Sequence, residues 1–195
     1  MSDHVTVRLA RPEEADALAA VAAETFPDAC PPGLSPDAIA AHVASELDAD
    51  HFRAWVAGRY GEPAVPCVVL VAEADAGLVG YALLVRARPA DASALDPILG
   101  AGYPRAASVE LSKIYALARA RGTGAAGTLM HAALEAAARL LDGQAVWLGT
   151  NAENVRAQTF YRKHGFAEVG RRAYVVGGEP QDDVVMARAV GARQA

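Results

Sequence analysis

At 195 residues the chain is long enough to bury a sizeable core and is expected to form one domain over residues 1–195. Its hydrophobic content of 53% suits a globular protein, and its formal charge of −5 argues against a nucleic-acid partner. The apolar runs at 68–72 and 78–85 fall far short of the ~20 residues that cross a bilayer, which excludes a membrane partner as an expectation. The polar start Met1-Ser2-Asp3-His4 predicts no secretory leader, so the expected compartment is the cytoplasm. Cys30 and Cys67 lack metal-ligand spacing and read as thiols in a reducing environment. His4, His42, His51, His131 and His164 also lack it; surface or packing roles are expected for them, and no metal site.

Residues 5–9 alternate and predict a first strand. Arg11-Pro12-Glu13-Glu14 places proline and acids in the first turn of a helix running to about Thr25. The proline-rich stretch 26–33 is expected as loop. Ser35-Pro36-Asp37 caps a second helix, whose Ile39, Val43 and Leu47 share a face, and a short helix is expected over 51–58. The β-rich runs 67–73 and 78–88 flank Ala74-Asp75-Ala76-Gly77 and read as a hairpin. Residues 88–107, with Pro89, Pro97, Gly100, Gly102 and Pro104, are expected to form a long irregular connection.

A strand at 109–117 comes next, then a helix at 122–141 with Ala126, Leu129, Met130, Ala133, Leu134, Ala137 and Leu141 on its buried stripe. A strand at 144–150, a helix at 153–164 and a strand at 166–176 follow. The turn Gly177-Gly178-Glu179-Pro180 leads into a last strand at 183–189. Interleaved strands and helices predict an α/β fold of mixed α+β type, a mixed sheet flanked by helices.

Between the strand at 109–117 and its companion helix stands Arg119-Ala-Arg121-Gly122-Thr123-Gly124-Ala125-Ala126-Gly127. A strand that turns through glycines into a helix start offers outward-pointing N–H groups and the positive end of the helix dipole, a natural anion site. A phosphate-bearing ligand is therefore expected. Gly122, Gly124 and Gly127 also spell G-x-G-x-x-G. The dinucleotide reading further needs an acid about 20 residues on, at the end of the next strand, and none stands before Glu153. The lysine of a P-loop is missing as well.

The spacing R-x-x-G-x-G (Arg119, Gly122, Gly124) after a strand resembles the acetyl-CoA pyrophosphate loop of the GNAT superfamily of N-acetyltransferases. Downstream, Asn151-Ala-Glu-Asn154-Val-Arg-Ala157-Gln-Thr-Phe160-Tyr161-Arg-Lys-His-Gly165-Phe166 is similar to that family's second cofactor segment, N-x-x-N-x-x-A-x-x-F-Y-x-x-x-G-F. At 100° per residue Asn154, Ala157 and Tyr161 share a helix face, and Gly165 suits the residue that ends the helix. The resemblance implies a GNAT-like fold with a mostly antiparallel central sheet, acetyl-CoA as cosubstrate and no metal. It implies cofactor contacts from Tyr115, Ala116, Leu117, Arg121, Gly122, Thr123, Gly124, Ala125, Ala126, Gly127, Asn154, Ala157 and Tyr161. It also leaves room for a homodimer.

Acetyl transfer needs a neutral amine, and a primary amine of pKa ~10.4 is only about 0.04% neutral at pH 7. Glu110, in the strand before the phosphate loop, is the expected proton acceptor; the alternative is an acid that merely pairs with an arginine or faces solvent. Tyr161 is expected to donate a hydrogen bond to the departing sulfur, or else to serve as a core tyrosine. Asn154 is expected to touch the cofactor, or else only to start a helix. A backbone N–H near Tyr115–Leu117 would polarise the carbonyl. Glu110-Leu-Ser-Lys-Ile-Tyr115 and Asp182-Asp183-Val-Val-Met186 resemble bacterial polyamine N-acetyltransferases, with Asp96, Glu179, Asp182 and Asp183 as solvated turn acids that could attract a polycation. Within the class, a protein N-terminus or lysine, or an amine antibiotic, is the alternative acceptor. Outside it stand a non-catalytic acyl-CoA-binding module and, more distantly, a nucleotide-dependent oxidoreductase.

Overall fold

The computed structural model describes residues 5–86, 92–104 and 108–190, and only the backbone of 92–95. His4 and the stretches 87–91 and 105–107 of the expected connection lie outside the described residues.

One sheet organises the chain. Its strands are β1 (Thr6–Leu9), β3 (Val65–Ala74), β4 (Gly77–Arg86), β5 (Ser108–Ala116), β6 (Ala145–Asn151), β8 (Glu179–Ala189) and β7 (Ala167–Val176), in that spatial order; the short β2 (Arg59–Tyr60) pairs with β3. Every pairing is antiparallel except β5 with β6. The helices are α1 (Ala15–Thr25), α2 (Pro36–Glu46), α3 (Ala49–Val56), α4 (Ala92–Gly100), α5 (Ala125–Leu140) and α6 (Val155–Lys163).

Alternation along the strands sends side chains to two cores. On one face Leu70, Ala82, Leu84, Leu111, Leu148 and Val184 meet Leu129, Met130, Ala133 and Ala137 of α5. On the other, Val69, Val71, Tyr81, Leu83 and Val85 meet Leu18, Ala22, Phe52 and Trp55 of α1 and α3. Ser35 caps α2 as its sequence predicts, its Oγ accepting from Ala38 N at 3.1 Å, while the same hydroxyl donates to Glu179 at 2.6 Å.

Several expectations change. The stretch 26–33 contains a single 3-10 turn at Pro27–Ala29, because a proline at the first position of such a turn loses no hydrogen bond. Where an irregular connection is expected, α4 forms in spite of Pro97. Ile98 is fully buried against Trp147, Val185 and Ala187, and Pro97 lies over Gly170 of β7, where a Cβ would stand 2.5 Å from the proline ring. Burial against the sheet outweighs the one backbone hydrogen bond a proline removes. The final turn needs only Gly177 and Gly178, at φ +55° and +88°, so β8 starts at Glu179, four residues earlier than expected.

Candidate active site

The parallel pair β5–β6 is hydrogen-bonded only from Ser108↔Ala145 to Glu110↔Trp147. Beyond that level both strands continue, to Ala116 and Asn151, without pairing, and the sheet splits open. The gap leads into a cleft of about 710 Å³. On its other side β5 stays paired with β4, with Tyr115 opposite Tyr81 and Leu117 N donating to Val79 O at 2.8 Å. N–H groups alternate in direction along such a strand, so those of Ile114 and Ala116 point into the gap. Leu117 itself is buried and its N–H is committed to Val79, so it offers the cleft neither group.

β5 passes through a 3-10 turn, Ala118–Ala120, into Arg121-Gly122-Thr123-Gly124 and then α5. Gly122 and Gly124 have φ +83° and +87°, a conformation that a side chain would strain, and nothing lies within 4 Å of a Cβ built on either. Among the described residues the N–H groups of Gly122, Gly124, Ala126 and Gly127 have no acceptor, and all four residues line the cleft with Ala125. This is the helix-start geometry that attracts anions. Thr123 turns back on its own loop, donating to Ala120 O at 2.8 Å and accepting from Ala125 N at 3.3 Å.

The opposite lip is α6. Asn154 is its N-cap: Oδ1 accepts from Ala157 N at 3.0 Å, and Nδ2 donates to Ala29 O at 3.3 Å. The helix ends on Gly165 (φ +80°), with Gly165 N→Arg162 O at 3.0 Å and Phe166 N→Tyr161 O at 3.1 Å closing a Schellman motif. Asn154, Ala157 and Tyr161 all line the cleft. Burial, and then the charge of Asp183, push the Tyr161 phenol up to about 12, which keeps it a hydrogen-bond donor at neutral pH.

The facing wall depends on a β-bulge. Leu84 pairs with Leu111 and Leu83 with Lys113, so Ser112 is the extra residue. Glu110 (opposite Val85), Lys113 and Tyr115 consequently share the face that looks toward α1–α3, whereas an unbroken strand would turn Lys113 and Tyr115 away from it. By the same alternation Gly149, Asp183, Arg172 and Tyr174 come from β6, β8 and β7, and all line the cleft. The Arg172 side chain is buried and ion-paired to Asp183 at 3.6 Å, with its guanidinium carbon 5.5 Å from the Trp147 ring and 5.1 Å from the Tyr174 ring. Gly149 makes room for it, since a Cβ there would stand 2.7 Å from that carbon.

Asp183 is 6% exposed, not the solvated turn acid its sequence context suggests. Desolvation lifts its carboxyl to about 6 against the opposing pull of Arg172. Glu110 is 3% exposed and sits at the closed end of the gap, opposite Trp147. Tyr174 is pushed up to about 12, chiefly by burial. His42 of α2 stacks on Phe26 at 4.6 Å, and burial with nearby Lys113 holds its pKa below the usual value. Of these, Arg172, Tyr174 and His42 are absent from the residues expected at the site. Their signal is one of register across separate strands, which local spacing does not carry.

The segment 26–31 roofs the cleft. Asp28 pairs with Arg121 at 2.5 Å, and Ala29 O holds Asn154, so the roof touches both the glycine loop and the start of α6. Arg119 lies outside the cleft lining, donating to Leu78 O at 3.3 Å and facing Glu24 at 3.8 Å. Among the described residues no group of three or more His, Cys, Asp or Glu side chains is arranged to hold a metal ion, and no helix is long and apolar enough to cross a membrane.

The sequence model of the Acetyltransferase (GNAT) family matches residues 26–166. The chain is 42% identical over 175 residues to an uncharacterised N-acetyltransferase of Mycobacterium tuberculosis and to one of Mycobacterium bovis, covering 90% of this chain and 97% of each relative. Among solved structures it superposes on the PaiA N-acetyltransferase of Thermoplasma acidophilum in complex with coenzyme A (TM-score 0.68, 17% identity, 95% of this chain and 99% of that one). It also superposes on YncA of Salmonella typhimurium, a putative acetyltransferase with its cofactor acetyl-CoA (TM-score 0.66, 20% identity, 98% and 97%). The chain belongs to the GNAT family and is an N-acetyltransferase by that membership.

Proposed function

We propose that the cleft transfers an acetyl group from acetyl-CoA to a small primary amine by direct attack, with both substrates bound together. The observation that carries this reading is the split between β5 and β6. It joins the acceptor-less N–H groups of the Gly122–Gly127 loop to the inward N–H groups of Ile114 and Ala116 and to the phenol of Tyr161. The loop suits a pyrophosphate. Ala116 N–H, with Ile114 N–H beside it, is placed to polarise a thioester carbonyl in the gap, and Tyr161 to hydrogen-bond the departing sulfur. Arg156 adds positive charge to the cofactor side, where the charge of Arg121 is balanced by Asp28. Thr123 supports the loop's turn and Leu117 anchors the end of β5; neither contributes an open donor.

The amine enters from the α1–α3 side, and its proton leaves along the wall that carries Asp183 and Glu110. That wall bears two acids, Glu110 and Asp183, and two cations, Lys113 and Arg172, so its formal charges cancel. A second ammonium gains no net attraction there, and a monoamine suits the wall better than a polyamine. The rings of Phe26, His42, Tyr115 and Tyr174 give the acceptor's carbon frame an aromatic surface. A panel of amines assayed for free thiol release from acetyl-CoA tests this. Release with monoamines, exceeding that with spermidine, is the expected result; no release with any amine, while acetyl-CoA binds, would instead indicate a binding module.

A further inference from the structure

We propose that Asp183 is the first acceptor of the proton that leaves the amine and that Arg172 is its positioning residue, an inference that rests on the acetyltransferase reading of the cleft. Glu110 stands where the gap closes, paired through β5 with Trp147. Asp183 is in register with Asn151, four residues further along β6. At about 3.3 Å per residue this sets Asp183 roughly 13 Å nearer the open end, level with the β5 residues whose N–H groups face the gap. Electrostatics agrees with this placement. The charge of Asp183 is felt at the phenols of Tyr161, Tyr115 and Tyr174, whereas that of Glu110 is felt, among these three, at Tyr174 alone. Of the two buried acids, Asp183 is therefore the one whose charge reaches the phenol proposed to face the leaving sulfur.

The surroundings also fix its direction. Arg172 is wedged against the Trp147 and Tyr174 rings and fills the space left by Gly149, so it holds Asp183 from one side only. The groups that bear on the Asp183 charge are Arg172 of β7, Asp182 beside it in β8, and the phenols of Tyr115, Tyr161 and Tyr174 from β5, α6 and β7. In the step itself an N–H bond of the ammonium breaks. The proton joins a carboxylate oxygen of Asp183, and the electron pair stays on nitrogen, which becomes the nucleophile. A carboxyl near 6 is about ten-elevenths ionised at pH 7, ready to accept, and a weaker acid than an ordinary aspartate.

Asp183→Asn is expected to lower kcat/KM for the amine by roughly 100-fold or more, while acetyl-CoA affinity measured by calorimetry stays within a few-fold of the parent. In the parent, the Asp183 carboxyl resonance followed by NMR in the absence of substrates should titrate near 6, and the acid limb of kcat/KM should fall at that same pH. Arg172→Gln removes the charge that lowers this midpoint, so both titrations should move to higher pH. An Asp183→Asn enzyme within twofold of the parent, or an Arg172→Gln variant in which neither midpoint moves, overturns the proposal. Should Asp183→Asn fail to fold, the paired titrations of the parent and Arg172→Gln decide alone. If the parent enzyme binds acetyl-CoA but acetylates no amine, the functional reading fails, and the NMR midpoint still reports on the Asp183–Arg172 pair.

Discussion

The two walls of the cleft are built from different materials. The wall proposed for the cofactor is mostly backbone: glycines at positive φ, a helix start with acceptor-less N–H groups, and two strand N–H groups turned into the gap. The wall proposed for the acceptor is mostly side chains: an arginine with a buried side chain, two buried acids, a lysine and several rings, drawn from β5, β7, β8, α2 and the segment 26–31. In the proposed reading, backbone sites recognise what every reaction of the family shares, the phosphates and the thioester. Side-chain sites can change one residue at a time without disturbing the fold, so the proposed reading puts the choice of amine there.

The sharpest way to break this contrast is at Gly124. Gly124→Asp puts a β-carbon in a positive-φ position and a carboxylate where phosphates are proposed to lie, in space that is open in the protein. Like charges there oppose binding, and acetyl-CoA affinity is expected to fall at least tenfold, with the unfolding temperature also lowered by the strain of a side chain at positive φ. Unchanged affinity by calorimetry would move the cofactor off this loop.

What was legible in the sequence follows the same division. The glycine loop and the segment from Asn151 to Phe166 are contiguous, and their chemistry is local: each φ, cap and helix end is dictated by neighbours a few residues away. The Schellman end at Gly165 and the cap at Asn154 form accordingly, although the cap and the bond to Ala29 already occupy part of the Asn154 amide. Beyond Glu110 and Asp183, the wall proposed for the acceptor was illegible, for two physical reasons. The Ser112 bulge resets which residues of β5 share a face, and nothing in Glu-Leu-Ser-Lys-Ile-Tyr announces an extra residue. At the other end, a two-residue Gly177–Gly178 turn lengthens β8, which carries Asp183 from the edge of a turn to the interior of the sheet. The helix α4 shows a third limit, because Pro97 argues locally against the helix that Ile98 stabilises through burial.

A smaller effect is expected at Tyr161, where one hydroxyl mediates between the walls. Tyr161→Phe keeps the ring packing on Phe160 and Phe166 and removes only the donor. Its kcat should fall about 10- to 100-fold with acetyl-CoA affinity preserved, since the lost interaction strengthens only as charge builds on sulfur. Because the phenol is held up at about 12, the parent should show no loss of this donor below pH 10. Single-turnover rates that match the parent would remove Tyr161 from the chemistry and leave it a packing role.

The smallest effect is expected at Glu110, and it separates the two ends of the acceptor wall. If the proton passes first to Asp183, an acid at the closed end of the gap serves as a later station, and Glu110→Gln should cost less than Asp183→Asn at neutral pH. The defect should also shrink as pH rises. At pH 9 the neutral fraction of an amine of pKa ~10.4 is roughly a hundredfold larger than at pH 7, so fewer turnovers need the relay at all. A defect of constant size from pH 6.5 to 9.5 would mark Glu110 as a structural acid, holding the buried floor between Trp147 and Val85. A Glu110→Gln defect larger than that of Asp183→Asn, again shrinking with pH, would reverse the order of the two acids. The amine would then have to reach further into the gap than the level of Ile114 and Ala116, and the wall nearest the thioester would bind the acceptor without taking its proton.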